Sequence, residues 1–101
     1  MDLSDLRKEI DDIDEALIPL LLKRMALSEQ VAAYKQQHGI PVLDAQREQE
    51  ILARVAACCG DKGEAIKTIF SAVMEASRTV QHQMLGGSAP PEPSVAGNDK
   101  K

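Results

Sequence analysis

A chain of 101 residues with 44% hydrophobic and 28% charged residues holds enough material for one small domain, and with no Trp, one Phe and one Tyr its core must be aliphatic. A net charge of −4 leaves no broad basic stripe to displace counterions from phosphates, which argues against nucleic acid as a partner. The acidic start Met1-Asp2-Leu3-Ser4-Asp5 lacks the basic opening and apolar run of a signal peptide, and no stretch approaches membrane-spanning length, so a cytoplasmic protein with no membrane partner is expected.

Ten positions open the chain at alternate spacings of three and four: Leu3, Leu6, Ile10, Ile13, Leu17, Leu20, Arg24, Leu27, Val31 and Tyr34. That period predicts one long helix, with Asp2 and Asp5 near its positive end and His38-Gly39-Ile40-Pro41 as its stop. Pro19 is expected to kink the helix and remove one backbone hydrogen bond near Glu15 without ending it. Nine of the ten are apolar or aromatic, and the seventh is Arg24. A guanidinium planted in a buried seam needs an anion to meet it. Lys35 lies about 20° round the helix from Arg24 and roughly 16 Å along it, so both cations look out from nearly the same face, toward a small polyanion held between helices.

Such a helix would run roughly 48 Å, against a radius of gyration of about 13 Å for a compact domain of this size. An exposed leucine stripe of that length is a contact surface, and a second copy, antiparallel or intertwined, is its simplest cover. Arg7 stands 17 residues before Arg24 and about 100° away around the helix, so in a homodimer it could reach the partner chain's site rather than its own.

Asp44 is read as the cap of a second helix with the stripe Ile51, Leu52, Val55 and Cys58, ending around Cys59-Gly60-Asp61-Lys62-Gly63. In its first turn Asp44 and Glu48 share a face, with Arg47 beside them. Cys58 and Cys59 fit neither a redox nor a zinc spacing and are read as small buried side chains. A third helix is predicted from about Glu64 to Leu85, with Ile66, Phe70, Val73, Ser77, Val80 and Met84 on one stripe. From Gly86 the run Gly-Gly-Ser-Ala-Pro-Pro-Glu-Pro reads as a disordered tail or linker stub, which divides the chain into a helical domain at 1–85 and a tail at 86–101.

The fold class is therefore all-α, and the chain offers several donors to an anion and one carboxylate able to accept from a hydroxyl. It has no nucleophile–base pair, metal-ligand cluster or phosphate loop, so chemistry here would rest on positioning and fixed charge. Each residue also has a plainer reading. Arg24 serves equally as a register-setting group in a coiled coil, Lys35 and Arg47 as solvated helix charges, and Asp44 as a cap. Glu48 could pair along the surface, Ser77 fill space, Gln81 stand exposed, and His38 and His82 face solvent.

The runs Leu6-Arg7-Lys8-Glu9-Ile10-Asp11-Asp12-Ile13-Asp14, Leu20-Leu21-Leu22-Lys23-Arg24, Val31-Ala32-Ala33-Tyr34-Lys35 and Pro41-Val42-Leu43-Asp44-Ala45-Gln46-Arg47-Glu48, with Ser77 and Gln81, resemble the all-helical chorismate mutases over residues 3–85. The resemblance implies an intertwined homodimer of three-helix protomers. It also implies a cofactor- and metal-free Claisen-type rearrangement of chorismate to prephenate in aromatic amino acid biosynthesis. By resemblance, Arg24 and the partner's Arg7 grip the substrate carboxylates, Lys35 and Gln81 donate to the ether oxygen, and Glu48 accepts from the ring hydroxyl with the Asp44 region assisting. Arg47 and Ser77 would complete the polar wall, and Val31 and Met74 the apolar one. Pro19 inside the long helix and Arg78 after Ser77 depart from the family pattern. Two other functions fit a chain of this kind: an isochorismate pyruvate lyase of similar fold, against which Glu48 and Ser77 argue, and a non-catalytic helical dimerisation module of a larger shikimate-pathway protein.

Overall fold

The structure, a computed structural model, describes residues 1–86; the expected tail lies outside the described residues except for Gly86. Asp2 opens the first helix, its carboxylate accepting from the Asp5 backbone N–H at 2.9 Å while the Asp5 carboxylate accepts from the Asp2 N–H at 3.3 Å. This reciprocal cap satisfies two donors that a helix start leaves open. Helix α1 then runs over Leu3–Gln37 with Pro19 inside it. Proline has no N–H to give the Glu15 carbonyl, yet the turns on either side continue, as expected from the unbroken period. At the far end Gly39 takes φ +66° and the Ile40 N–H reaches back to the Lys35 carbonyl at 2.8 Å, a left-handed stop just before Pro41. Thirty-five residues at about 1.5 Å each span about 52 Å, which accounts for the 53 Å long axis of the protomer.

Helix α2 spans Ala45–Cys58 and helix α3 spans Gly63–Met84, joined by a single 3₁₀ turn at Gly60–Lys62. The described residues contain no strand, and none of their helices is long and apolar enough to cross a membrane. Helix α3 packs against both others. The core lies between α2 and α3, where Ile51, Val55 and Met74 are buried and Leu52, Ile66 and Phe70 close round them. The two helices come close at Gly63, where any Cβ would collide with the Ala56 carbonyl oxygen, so only glycine fits.

Four readings of the sequence are corrected here. The α1 face turned to α3 is Leu21, Arg24, Ser28, Ala32 and Lys35, not the leucine seam, which lies one residue and about 100° away. Small Ser28 and Ala32 let α3 come close, while the nine apolar seam residues stay 44–64% exposed and every residue from 1 to 20 is exposed. On α3 the buried centre is Met74, Ser77 and Gln81; Val73 and Val80 are half-buried and Met84 is exposed, so the core face is rotated from the β-branched stripe. Cys58 is exposed and Cys59 half-buried, because the end of α2 has already left the core. Their thiols lie 3.0 Å apart, and that hydrogen bond, with burial and the neighbouring thiol's charge, holds Cys59 above the usual thiol range. Of the two histidines, His38 is exposed and stacks on Tyr34 with ring centroids 4.0 Å apart, whereas His82 is half-buried rather than solvated.

Candidate active site

A cavity of about 300 Å³ opens where the second half of α1, the start of α2 and the second half of α3 converge. Nine of the ten residues expected at the site line it: Arg24, Val31 and Lys35 from α1, Asp44, Arg47 and Glu48 from the start of α2, and Met74, Ser77 and Gln81 from α3. Arg7 does not. It is exposed at the other end of α1, 17 residues and about 26 Å along the helix from Arg24.

Each polar side chain is held by its own local geometry. Half-buried Lys35 donates from Nζ to the Val42 carbonyl at 2.8 Å, which fixes its ammonium at the cavity edge. Asp44 caps α2, its Oδ1 accepting from the Arg47 N–H at 3.0 Å. The cap sets the first turn so that Glu48, one turn on, points toward α3. There Arg78 Nη1 donates to both Glu48 carboxylate oxygens, at 2.5 and 2.6 Å. With side chains 16% and 22% exposed, this pair is partly shielded from water and ties α2 to α3 across the cavity.

Deeper in, Ser28 Oγ and Ser77 Oγ are 2.6 Å apart, and Gln81 Nε2 donates to Ser77 Oγ at 3.4 Å. These three are the buried polar side chains of the described residues, and Gln81 Oε1 is buried with no hydrogen-bond partner. Leaving such an atom unmade costs roughly 1–3 kcal/mol in a finished site. Turning the amide over would let Oε1 accept from the Ser77 hydroxyl and leave both N–H donors for an oxygen of a bound molecule.

Four cations (Arg24, Lys35, Arg47 and Arg78) and two carboxylates (Asp44 and Glu48) line the cavity, a formal excess of two positive charges in a chain whose net charge is −4. Apart from these and the buried Ser28, Ser77 and Gln81, the wall is apolar, from Leu27, Val31, Val42, Ile51 and Met74. That composition suits a compact dianion with an apolar body. Among the described residues no group of three His, Cys, Asp or Glu could hold a metal ion.

Ser28 and Arg78 were not singled out as site residues in the sequence. Ser28 had a visible signal, since it lies four residues after Arg24 and seven before Lys35 on the same helical face. Arg78 is visible only as a departure from the family pattern after Ser77; Glu48, to which it bonds, is thirty residues away, beyond any periodicity.

Residues 6–82 match the family model described as chorismate mutase type II. The chain is 37% identical to a chorismate mutase of Methanocaldococcus jannaschii over 87 residues, covering 82% of this chain and 87% of that protein. It is 48% identical to a T-protein of Haemophilus influenzae over 50 residues, half of this chain but 13% of that much longer one. A 4-amino-4-deoxychorismate mutase of Streptomyces venezuelae is 32% identical over 62 residues, 61% of this chain and 60% of its own. No solved structure gives a significant match.

Proposed function

The chain belongs to the type II chorismate mutase family, and from that premise we propose how its cavity converts chorismate to prephenate for aromatic amino acid biosynthesis. The observation that carries the reading is the convergence of four cations, a shielded carboxylate and a buried amide on one apolar-walled cavity of about 300 Å³. Chorismate has two carboxylates, an ether oxygen and a ring hydroxyl, and it rearranges only from a diaxial, chair-like conformer. The reaction breaks a C–O bond and makes a C–C bond within one molecule, so no proton, nucleophile or electron carrier is required. What the protein supplies is orientation and fixed charge.

Arg24 forks onto one carboxylate, and Arg47 adds a second positive edge at the start of α2. Lys35 and Gln81 donate to the ether oxygen, where negative charge grows as the bond breaks and where each donor stabilises the transition state more than the substrate. Ser28 and Ser77 hold the Gln81 amide so that its N–H groups face the substrate. Glu48 accepts from the ring hydroxyl on a lone pair left free by Arg78, with the Asp44 cap setting its turn. Val31 and Met74 press the ring and keep water out, which strengthens every charged contact.

The active unit is a homodimer of residues 1–85. The exposed seam supports this, because a row of large apolar side chains along a 35-residue helix needs a partner of equal length, and another α1 is such a partner. Pairing two copies along α1 brings the partner's Arg7 to the open end of the cavity, as a second ligand for the substrate carboxylates. The test is to follow loss of chorismate absorbance and conversion of the product to phenylpyruvate in acid. Steady turnover with that product is expected; a folded dimer that leaves chorismate unchanged would overturn the reading.

A further inference from the structure

We infer that Arg78 is a specificity residue: by engaging Glu48 it limits this end of the cavity to substrates whose ring carries a neutral hydroxyl there, and turns away those carrying an ammonium. The inference rests on the proposed seat of the ring hydroxyl at Glu48. Its starting observation is that Arg78 Nη1 lies 2.5 and 2.6 Å from the two Glu48 oxygens, with both side chains partly shielded and both facing the cavity.

A lone carboxylate at this place would accept from a hydroxyl or from an ammonium, and would bind the ammonium more tightly because the bond is charge-assisted. With a guanidinium on both oxygens the carboxylate's charge is already matched. A hydroxyl still finds a free lone pair, since each carboxylate oxygen has two. An ammonium would instead sit within a few ångströms of Arg78, where two like charges in a partly dry site repel strongly. The whole cavity has the same bias, because its formal excess of two positive charges, to which the partner's Arg7 adds a third, favours a dianion over a ligand whose added ammonium lowers its charge to −1. Specificity of this kind comes from a repulsive element built against the competitor.

The competitor is concrete. The Streptomyces venezuelae relative is named for 4-amino-4-deoxychorismate, which differs from chorismate in bearing an amino group in place of the ring hydroxyl. An alkyl amine of this sort is protonated near neutral pH.

The experiment measures kcat/KM for both substrates with the wild-type dimer and with Arg78→Met, Arg78→Lys and Glu48→Gln. The ratio of the two is the readout, since a merely structural loss lowers both substrates together. Wild type should favour chorismate. Arg78→Met keeps much of the stem but removes the charge, and should move the ratio toward the amino substrate by at least about tenfold. Arg78→Lys should keep the wild-type preference. Glu48→Gln removes the carboxylate that faces the guanidinium inside the cavity and should move the ratio the other way, further toward chorismate. An unchanged ratio in Arg78→Met overturns the inference; if that variant does not fold, an unchanged ratio in Glu48→Gln does so. Turnover of chorismate by the wild type with such unresponsive ratios defeats this inference alone. Failure of the wild type to turn over chorismate defeats the proposed function itself.

Discussion

Replacing Ile13 with Asp should take the dimer apart. Ile13 is 64% exposed in the protomer and sits midway along the first half of the seam, with Ile10 and Leu17 on either side. Leu27 and Val31 line the cavity; at roughly 100 Å² apiece the other seven open seam side chains offer about 700 Å² per protomer and about 1,400 Å² per pair, the size of a stable specific interface. Twofold symmetry places the substitution twice in every dimer. Losing the burial of two isoleucines, roughly 100 Å² each at about 25 cal/mol per Å², costs about 5 kcal/mol. That alone weakens the dissociation constant by between three and four powers of ten. Burying two carboxylates with no counter-charge adds several kcal/mol more, or forces both to take up protons. Light scattering and sedimentation across a wide concentration range should find wild type dimeric and Ile13→Asp monomeric, with Asp11→Ala, on the opposite side of the helix, as an unaffected control. A variant that dimerises like wild type would refute the assignment of this seam to the dimer.

Arg24→Ala should keep its fold and lose about 10²–10³ in kcat/KM, and Arg24→Lys should recover little because a point charge cannot fork onto a carboxylate. Arg7→Ala and Arg24→Ala should each be nearly inactive alone, yet unfolding and refolding them together should return roughly a quarter of wild-type activity, since about half the dimers are mixed and each of these carries one intact site. No recovery despite demonstrated exchange would put Arg7 outside the partner's site. Ser28→Ala removes the neighbour of Ser77 at 2.6 Å and should lower kcat by about three- to tenfold with little change in KM, the loss of about 1 kcal/mol from one hydrogen bond. Gly63→Ala should lower the melting temperature by at least about 4 °C in a calorimetric scan, because its methyl group meets the Ala56 carbonyl and α3 must shift away from α2.

The helix ends were readable because their signals are local. Asp2, Asp44 and the Gly39–Pro41 stop act on the backbone within a few residues, and all three work as their types dictate. The cations of the cavity were readable because Arg24 broke an apolar period and Lys35 shared its face. The facing of α1 was not. Its leucine stripe and its Ser28–Ala32 stripe run side by side, and periodicity reports that a face is covered without reporting whether its own chain or another covers it. On α3, β-branched Val73 and Val80 marked the wrong centre, while Gln81, taken on its plain reading as exposed, is buried beside Ser77. The bond between Arg78 and Glu48 depends on how α2 crosses α3, which no spacing within either helix encodes.

The hydrogen bond from Lys35 to the Val42 carbonyl has a bearing on how this segment can change over time. An ammonium has three N–H donors, so Lys35 keeps this bond and still has two to offer. Its acceptor is a main-chain atom, present whatever side chain stands at that position. The bond to Lys35 therefore survives a change of side chain at position 42, whereas one insertion in the connection between α1 and α2 would carry the carbonyl away and let the lysine swing into water. Connections are ordinarily where insertions are best tolerated. In this one, an added residue would cost Lys35 its anchor.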